Sequence, residues 1–82
     1  MDTSLPTVDL SLWRADAIVL FDWLMSVDLD RVPIRHPSEK QALADLLSRL
    51  EQTNVPYGES GSGLTQDEIN TARTEVARDM GW

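Results

Sequence analysis

One stretch of the sequence, residues 12–27, constrains the fold more than any other, because a helix built from it is apolar on nearly every side. Its polar residues are only Arg14, Asp16, Asp22 and Ser26. A surface helix of a small bundle normally needs an apolar arc of about 100°. We therefore expect this helix, with Ser11 as its N-terminal cap, to lie at the centre of the fold or to keep one face for another chain.

The second predicted helix covers residues 38–52, and Pro37 suits a first-turn position just at its start. Its apolar residues recur with the spacing of a single helical face: Leu43, Leu46, Leu47 and Leu50. On the outer face, Asp45 and Arg49 have the i,i+4 spacing of an ion pair. His36 is the only histidine in the chain. We interpret it as a surface or capping residue rather than a general base, since it stands in the connector before this helix.

The third predicted helix, residues 65–80, has the sharpest local signal in the sequence. The segment 65–68 is Thr-Gln-Asp-Glu, a capping box in which Thr65 and Glu68 satisfy each other's amide groups. The predicted inward stripe of this helix contains Ile69, Ala72, Val76 and Met80. Before it, residues 53–63 are rich in glycine and serine, which predicts a flexible loop.

Together these elements predict an all-α fold, a small three-helix bundle in which residues 1–82 form a single domain. Residues 1–10 contain Pro6 and alternate weakly between apolar and polar side chains. This alternation favours a short extended N-terminal segment, such as an edge strand, over a helix.

Several chemistries are disfavoured by the residues that the chain contains. The 82 residues include no cysteine, so disulfides, thiolate metal sites and cysteine nucleophiles are ruled out, and we expect neither a metal nor another cofactor. The longest uninterrupted apolar run, residues 17–21, is five residues long, far below the ~20 needed to cross a bilayer. The segment 1–4 lacks the basic-then-apolar order of a signal peptide, so we expect a cytoplasmic protein.

The charge of the chain indicates which partners it attracts. Fourteen Asp and Glu residues against seven Lys and Arg give a formal net charge of −7. Nucleic acids and anionic membranes require clustered cations, so we expect neither as a partner. An acidic field instead attracts a basic protein surface and raises the rate of encounter with it.

Six carboxylates are candidate partner-binding residues. Asp22, Asp28 and Asp30 lie near the end of the first helix, where acidic groups oppose the helix dipole. A calcium loop of the EF-hand type does not fit this segment, because Val32 and Pro33 follow where oxygen ligands and a glycine are needed. On the third helix, steps of seven and four residues place three acids along one line: Glu68, Glu75 and Asp79.

Two aromatic residues complete the candidate partner-binding set. Tyr57 stands in the loop before the third helix, and Trp82 is the last residue. Exposed tyrosine and tryptophan often dominate binding interfaces. For Trp13 and Trp23 we expect core packing instead.

The chain also resembles a group of known proteins in two segments. Residues 17–24 read Ala-Ile-Val-Leu-Phe-Asp-Trp-Leu and, after a proline-containing connector, residues 40–51 read Lys-Gln-Ala-Leu-Ala-Asp-Leu-Leu-Ser-Arg-Leu-Glu. This pattern resembles short uncharacterised bacterial proteins with a Leu-Phe-(Asp/Glu)-Trp-Leu core. Some of these are similar to immunity proteins of contact-dependent or polymorphic toxins. The resemblance covers residues 15–51 and transfers no site residue, because immunity interfaces differ between cognate pairs.

From these observations we expect a non-enzymatic protein-binding module, and the best specific hypothesis is an acidic immunity protein that neutralises a basic toxin. The alternative is a structural or regulatory homo-oligomer, such as a homodimer, that assembles through the very apolar first helix. An enzyme with a metal at Asp22, Asp28 and Asp30 is a third class, which the sequence favours least.

Overall fold

In a computed structural model of the chain, which describes residues 6–79, three α-helices and two short 3₁₀ turns form an all-α bundle. The helices are α1 (Arg14–Ser26), α2 (Pro37–Glu51) and α3 (Gln66–Asp79). The 3₁₀ turns are Leu29–Arg31, between α1 and α2, and Val55–Tyr57, between α2 and α3. The predicted all-α three-helix bundle is confirmed.

The helix α1 is the central element of the bundle. It contacts α2, α3 and the Val55–Tyr57 turn, as the apolar surface on nearly all its sides predicts. The buried core draws on all of these elements and consists of Ala17, Ile18, Leu24, Leu50, Val55 and Ala72.

The start of α1 differs from the sequence prediction. The helix begins at Arg14, and the cap position is Trp13, whose side chain makes no capping hydrogen bond. The carbonyl of Trp13 accepts the first helical bond, from the Ala17 N–H at 3.1 Å. The predicted cap, Ser11, lies two residues too early to accept from the first turn. The carboxylate of Asp16 in that turn instead complements the positive end of the helix dipole.

The helix α2 begins as the sequence indicates, with Pro37 as its first residue. The Nδ1 atom of His36 accepts a hydrogen bond from the Ser38 N–H at 3.1 Å, and the Glu39 carboxylate accepts from the His36 N–H at 3.2 Å. The capping interpretation of His36 is therefore confirmed.

On the outer face of α2, the predicted ion pair between Asp45 and Arg49 is absent from the described residues. Asp45 instead accepts a hydrogen bond from the side-chain amide of Gln41 at 3.0 Å. A neutral donor one turn earlier thus takes the place of the expected cation.

The capping box of α3 is confirmed. The Thr65 hydroxyl accepts from the Glu68 N–H at 3.1 Å, and the Glu68 carboxylate accepts from the Thr65 N–H at 3.4 Å. Of the predicted inward stripe, Ala72 is buried, Ile69 and Val76 are half-buried, and Met80 lies outside the described residues.

The connector that was predicted to be a flexible loop is partly fixed. Its Val55 side chain belongs to the core, and the Gly63 N–H donates to the Tyr57 carbonyl at 2.6 Å. Gly58 adopts φ +69°, and a Cβ on it would lie 2.5 Å from the Gly63 carbonyl oxygen. Glycine is therefore required where the chain turns back towards α3. Flexibility stays a prediction for residues 60–62.

The described part of the N-terminal segment, residues 6–13, has no regular secondary structure, and residues 6–79 contain no β-strand. The suggested edge strand is thus wrong for residues 6–10, while residues 1–5 lie outside the described part. Within this segment the side chains of Val8 and Leu10 are 91% and 74% exposed. The alternation of apolar and polar side chains is not sufficient to form a strand, because no described strand lies alongside these residues to accept their backbone hydrogen bonds.

No helix within residues 6–79 has the length and hydrophobicity required to cross a membrane.

Candidate functional site

A groove of about 370 Å³ lies between α1 and α3 and is lined by five charged side chains. We call it the acidic groove. Its floor includes the buried side chains of Ile18 and Ala72. Around this floor stand one cation, Arg14, and four carboxylates: Glu59, Asp67, Glu68 and Glu75. An apolar floor with acidic walls suits the side chain of a lysine or arginine, which combines an aliphatic stem with a cationic head.

The carboxylate of Glu68 is fixed at the rim of the groove by three neighbours. It accepts hydrogen bonds from the Glu59 N–H at 3.1 Å and from the Thr65 N–H at 3.4 Å, and the Arg14 guanidinium lies 3.5 Å away. The Glu59 N–H contributes most to lowering the pKa of Glu68, and Thr65 and Arg14 act in the same direction, against partial desolvation. Glu68 therefore stays ionised and joins α1, α3 and the connector.

The other three carboxylates of the acidic groove are available to a partner. Within residues 6–79, no Lys, Arg or His side chain forms an ion pair with Glu59, Asp67 or Glu75. All three residues are exposed. Because Arg14 already pairs with Glu68, the groove keeps three negative charges that no described cation offsets.

The three acids predicted near the end of α1 each have an intramolecular partner. Asp22 accepts from the Arg73 guanidinium on α3 at 2.8 Å. Asp28 accepts from the Asp30 N–H at 3.0 Å and so caps the Leu29–Arg31 turn. Asp30 forms an ion pair with Lys40, and this carboxylate raises the pKa of the Lys40 ammonium through a hydrogen bond and charge attraction.

These acids do not form a metal site. Throughout residues 6–79, no three His, Cys, Asp or Glu side chains lie together in a way that could hold a metal ion. The carboxylates of Asp22 and Asp30 instead connect separate elements of the fold, through Arg73 of α3 and Lys40 of α2, and that of Asp28 caps its own 3₁₀ turn.

The acidic line predicted on α3 is partly assembled. Glu68 and Glu75 line the same groove, whereas Asp79, the last residue of α3, does not contribute to it. Tyr57 is an exposed residue of the Val55–Tyr57 turn. Trp82 lies outside the described residues, so its role as an anchor stays a prediction.

The expected core packing of two tryptophans is wrong. Trp13 is 63% exposed and Trp23 is 40% exposed. Trp13 occupies the cap position rather than an inward-facing position of α1. Trp23 is rotated around α1 by about 100° from the buried Leu24, so its side chain lies beside the buried face and is partly exposed.

Sequence reasoning missed three residues of the acidic groove, namely Arg14, Glu59 and Asp67. Asp67 stands inside the capping box and was available as a signal, because that motif places it in the first turn of α3. Glu59 stands in the predicted flexible loop, and Arg14 stands on a predicted helix whose orientation the sequence leaves open. No local spacing connects either of them to Glu68.

Comparison with known proteins finds no matching family model, no matching curated protein and no matching solved structure. The resemblance to immunity proteins therefore stays a prediction.

Proposed function

We propose that this chain is a non-enzymatic binding module that covers a basic surface of another protein through its acidic groove. The observation that carries the proposal is the set of three carboxylates around an apolar floor, Glu59, Asp67 and Glu75, with which no cation of residues 6–79 forms an ion pair. A net charge of −7 adds long-range attraction towards a basic partner and long-range repulsion of nucleic acid.

The more specific form of the proposal is an immunity protein that acts in the cytoplasm and neutralises a basic toxin. Toxins that cleave nucleic acids need cations to hold their phosphate substrates. An inhibitor with fixed carboxylates would compete for those cations and discriminate against partners that lack them. The proposal needs no bond to be made or broken by this chain.

Two double variants with the same net charge test the location of the surface. Asp67→Lys with Glu75→Lys reverses two charges of the acidic groove. Asp45→Lys with Glu51→Lys reverses two exposed acids on α2, and in both cases the formal charge changes from −7 to −7 + 4 = −3. Any difference between the variants therefore reports position rather than total charge, once circular dichroism shows that both are folded.

The experiment captures partners from an extract of the source organism, identifies them by mass spectrometry and titrates the purified partner by calorimetry. We expect a basic protein whose affinity falls as ionic strength rises. The groove variant should bind at least about tenfold more weakly than the α2 variant. Equal binding by the two variants, or binding that ignores salt, would contradict the proposal. If the captured partner stops cell growth when it is expressed alone, co-expression of this chain should restore growth. That experiment tests the proposal that the chain is an immunity protein.

A second candidate function is homo-oligomerisation through α1. Trp23 is exposed, and the half-buried Val19 lies one turn earlier on the same side of α1. A helix that presents a tryptophan and a valine in this way offers a patch that a second copy could cover. Light scattering at low micromolar concentration distinguishes the candidates. If the unmodified chain has the mass of a dimer and Trp23→Asp has the mass of a monomer, homo-oligomerisation is favoured.

A further inference from the structure

A second concave surface, also lined by Arg14, lies between residues 8–12 and the bundle. It is a groove of about 600 Å³, which we call the apolar groove. Aliphatic side chains form its floor, among them Leu46, Leu50 and Val55. The exposed Leu10 stands at its outer edge. Small-molecule sites typically have a volume of about 300–1,000 Å³, an apolar lining and a few polar groups, and this groove has all three properties.

The apolar groove contains one cation, Arg49, that forms no ion pair within residues 6–79. Of its charged lining residues, Arg14 directs its guanidinium to Glu68 in the acidic groove, at 3.5 Å. Arg49 has no carboxylate within ion-pair distance in the described residues, because Asp45 bonds to Gln41 instead.

The other polar side chains that line the apolar groove belong to Asp9, Thr53 and Asn54. The Thr53 hydroxyl donates to the Leu50 carbonyl at 2.6 Å and accepts from the Val55 N–H at 3.2 Å, so its proton is committed and only one acceptor lone pair remains. Asp9 also lines the groove and adds the one negative charge that opposes an anion there.

We propose that the apolar groove binds a small amphiphile with one aliphatic chain and a carboxylate head. The hydrocarbon chain lies against Leu46, Leu50 and Val55, and the carboxylate accepts hydrogen bonds from the Arg49 guanidinium. A planar guanidinium presents paired donors that match the two oxygens of a carboxylate. The aliphatic floor, which as described contains no aromatic ring, suits a flexible hydrocarbon chain better than a flat ring that needs a stacking surface.

The occupant follows from charge complementarity and does not depend on the proposed binding of a basic protein. A cationic ligand would meet Arg49 and prefer the acidic groove. A neutral alkane would leave the Arg49 guanidinium unused. A carboxylate on an aliphatic chain uses both the floor and the cation, and its two oxygens match the paired donors of the guanidinium.

The experiment is an NMR titration of the full chain with decanoate below its micelle-forming concentration. We expect saturable shifts of the amide signals of Leu10, Leu46, Arg49 and Asn54, which line the groove, with the signals of α3 unchanged. Arg49→Gln should bind about fivefold more weakly, as for the loss of an exposed ion pair. Asp9→Asn should bind more tightly, because it removes the opposing charge.

Arg35→Gln is the matched control, since Arg35 is an exposed cation outside the groove. It should bind decanoate with the affinity of the unmodified chain. Leu10→Ser is a second groove variant at a site that is 74% exposed, so it keeps the fold and should weaken binding. The proposal is overturned if decanoate shows no saturable binding, if the shifts centre on the acidic groove, or if Arg49→Gln and Arg35→Gln bind equally.

Discussion

The two grooves of this protein share Arg14 but are built in opposite ways. The acidic groove is held by hydrogen bonds, with the Glu68 carboxylate joining Thr65, Glu59 and Arg14 around a small floor. The apolar groove is formed by aliphatic side chains of the core and is closed on one side by residues 8–12, which belong to no helix. Because the Arg14 guanidinium turns towards Glu68, one groove gains a fixed polar rim and the other keeps a mostly apolar lining.

This contrast teaches that a polar and an apolar concave surface can be separated within 82 residues by the orientation of a single side chain. The stability of the acidic groove is expected to depend on pH and on the capping hydrogen bonds of α3. The stability of the apolar groove is expected to depend on the volume that its aliphatic side chains fill. The four predictions below test this division, and they are ordered by the size of the expected effect.

The largest effect is expected at Leu50, which is buried and forms part of the floor of the apolar groove. Leu50→Ala should lower the free energy of unfolding by about 2–5 kcal/mol, since it removes apolar contacts and leaves a cavity. Urea denaturation followed by circular dichroism measures this change. Leu10→Ala on the exposed side of the same groove should change stability by less than about 0.5 kcal/mol. Similar losses in both variants would show that residues 8–12 are packed tightly.

A smaller effect is expected at Thr65, the cap residue that begins α3 beside the acidic groove. Thr65→Ala should lower the free energy of unfolding by about 1 kcal/mol, because the Glu68 N–H loses its acceptor. Thr65→Ser keeps the hydroxyl and serves as the control. If both variants lost stability equally in urea denaturation, the capping hydrogen bond would not be the cause.

The acidic groove should also make stability depend on pH through Glu68, whose pKa is lowered from 4.5 in the folded chain. A lowered folded pKa stabilises the fold above the unfolded value, and this contribution is lost as the pH falls through the folded value. The free energy of unfolding, measured by urea denaturation, should therefore fall less between about pH 6 and about pH 3 in Glu68→Gln than in the unmodified chain. An equal loss would mean that Glu68 titrates normally.

The smallest effect is expected for the ion pair of Asp22 and Arg73, which joins α1 to α3 at 2.8 Å. The arginine side chain is 56% exposed, so water and salt screen the attraction. A double-mutant cycle with Asp22→Asn and Arg73→Gln should give a coupling energy below about 1 kcal/mol. A larger value would make this pair, rather than Glu68, the main polar connection between the two helices.

The features that sequence predicted well are those set by neighbouring residues. The capping box of α3 depends on groups three residues apart, and Pro37 and His36 set the start of α2 in the same local way. The leucine spacing in α2 identified its inward face because the opposite face is polar. These signals required no knowledge of how the helices pack.

The orientation of α1 could not be predicted in this way. A helix that is apolar on nearly all sides has no polar face to mark its exposed side, so the exposure of Trp13 and Trp23 was missed. The pair of Asp22 and Arg73 joins residues 51 positions apart, and the contact of Arg14 with Glu68 likewise depends on tertiary packing. Of the four carboxylates that line the acidic groove, the sequence therefore identifies only two, Glu68 and Glu75.

The turn at Gly58 has a practical consequence for labelling the protein. A side chain at this position would collide with the Gly63 carbonyl oxygen, whereas a Cβ at Gly61 would meet no atom within 4 Å. A cysteine introduced at exposed Ser62 could carry a fluorescent dye with the loss of one hydrogen bond, between the Ser60 and Ser62 hydroxyls, and the chain has no other thiol. Glu59 lies next to this tip, so the emission of such a dye is a direct readout for the proposed binding at the acidic groove.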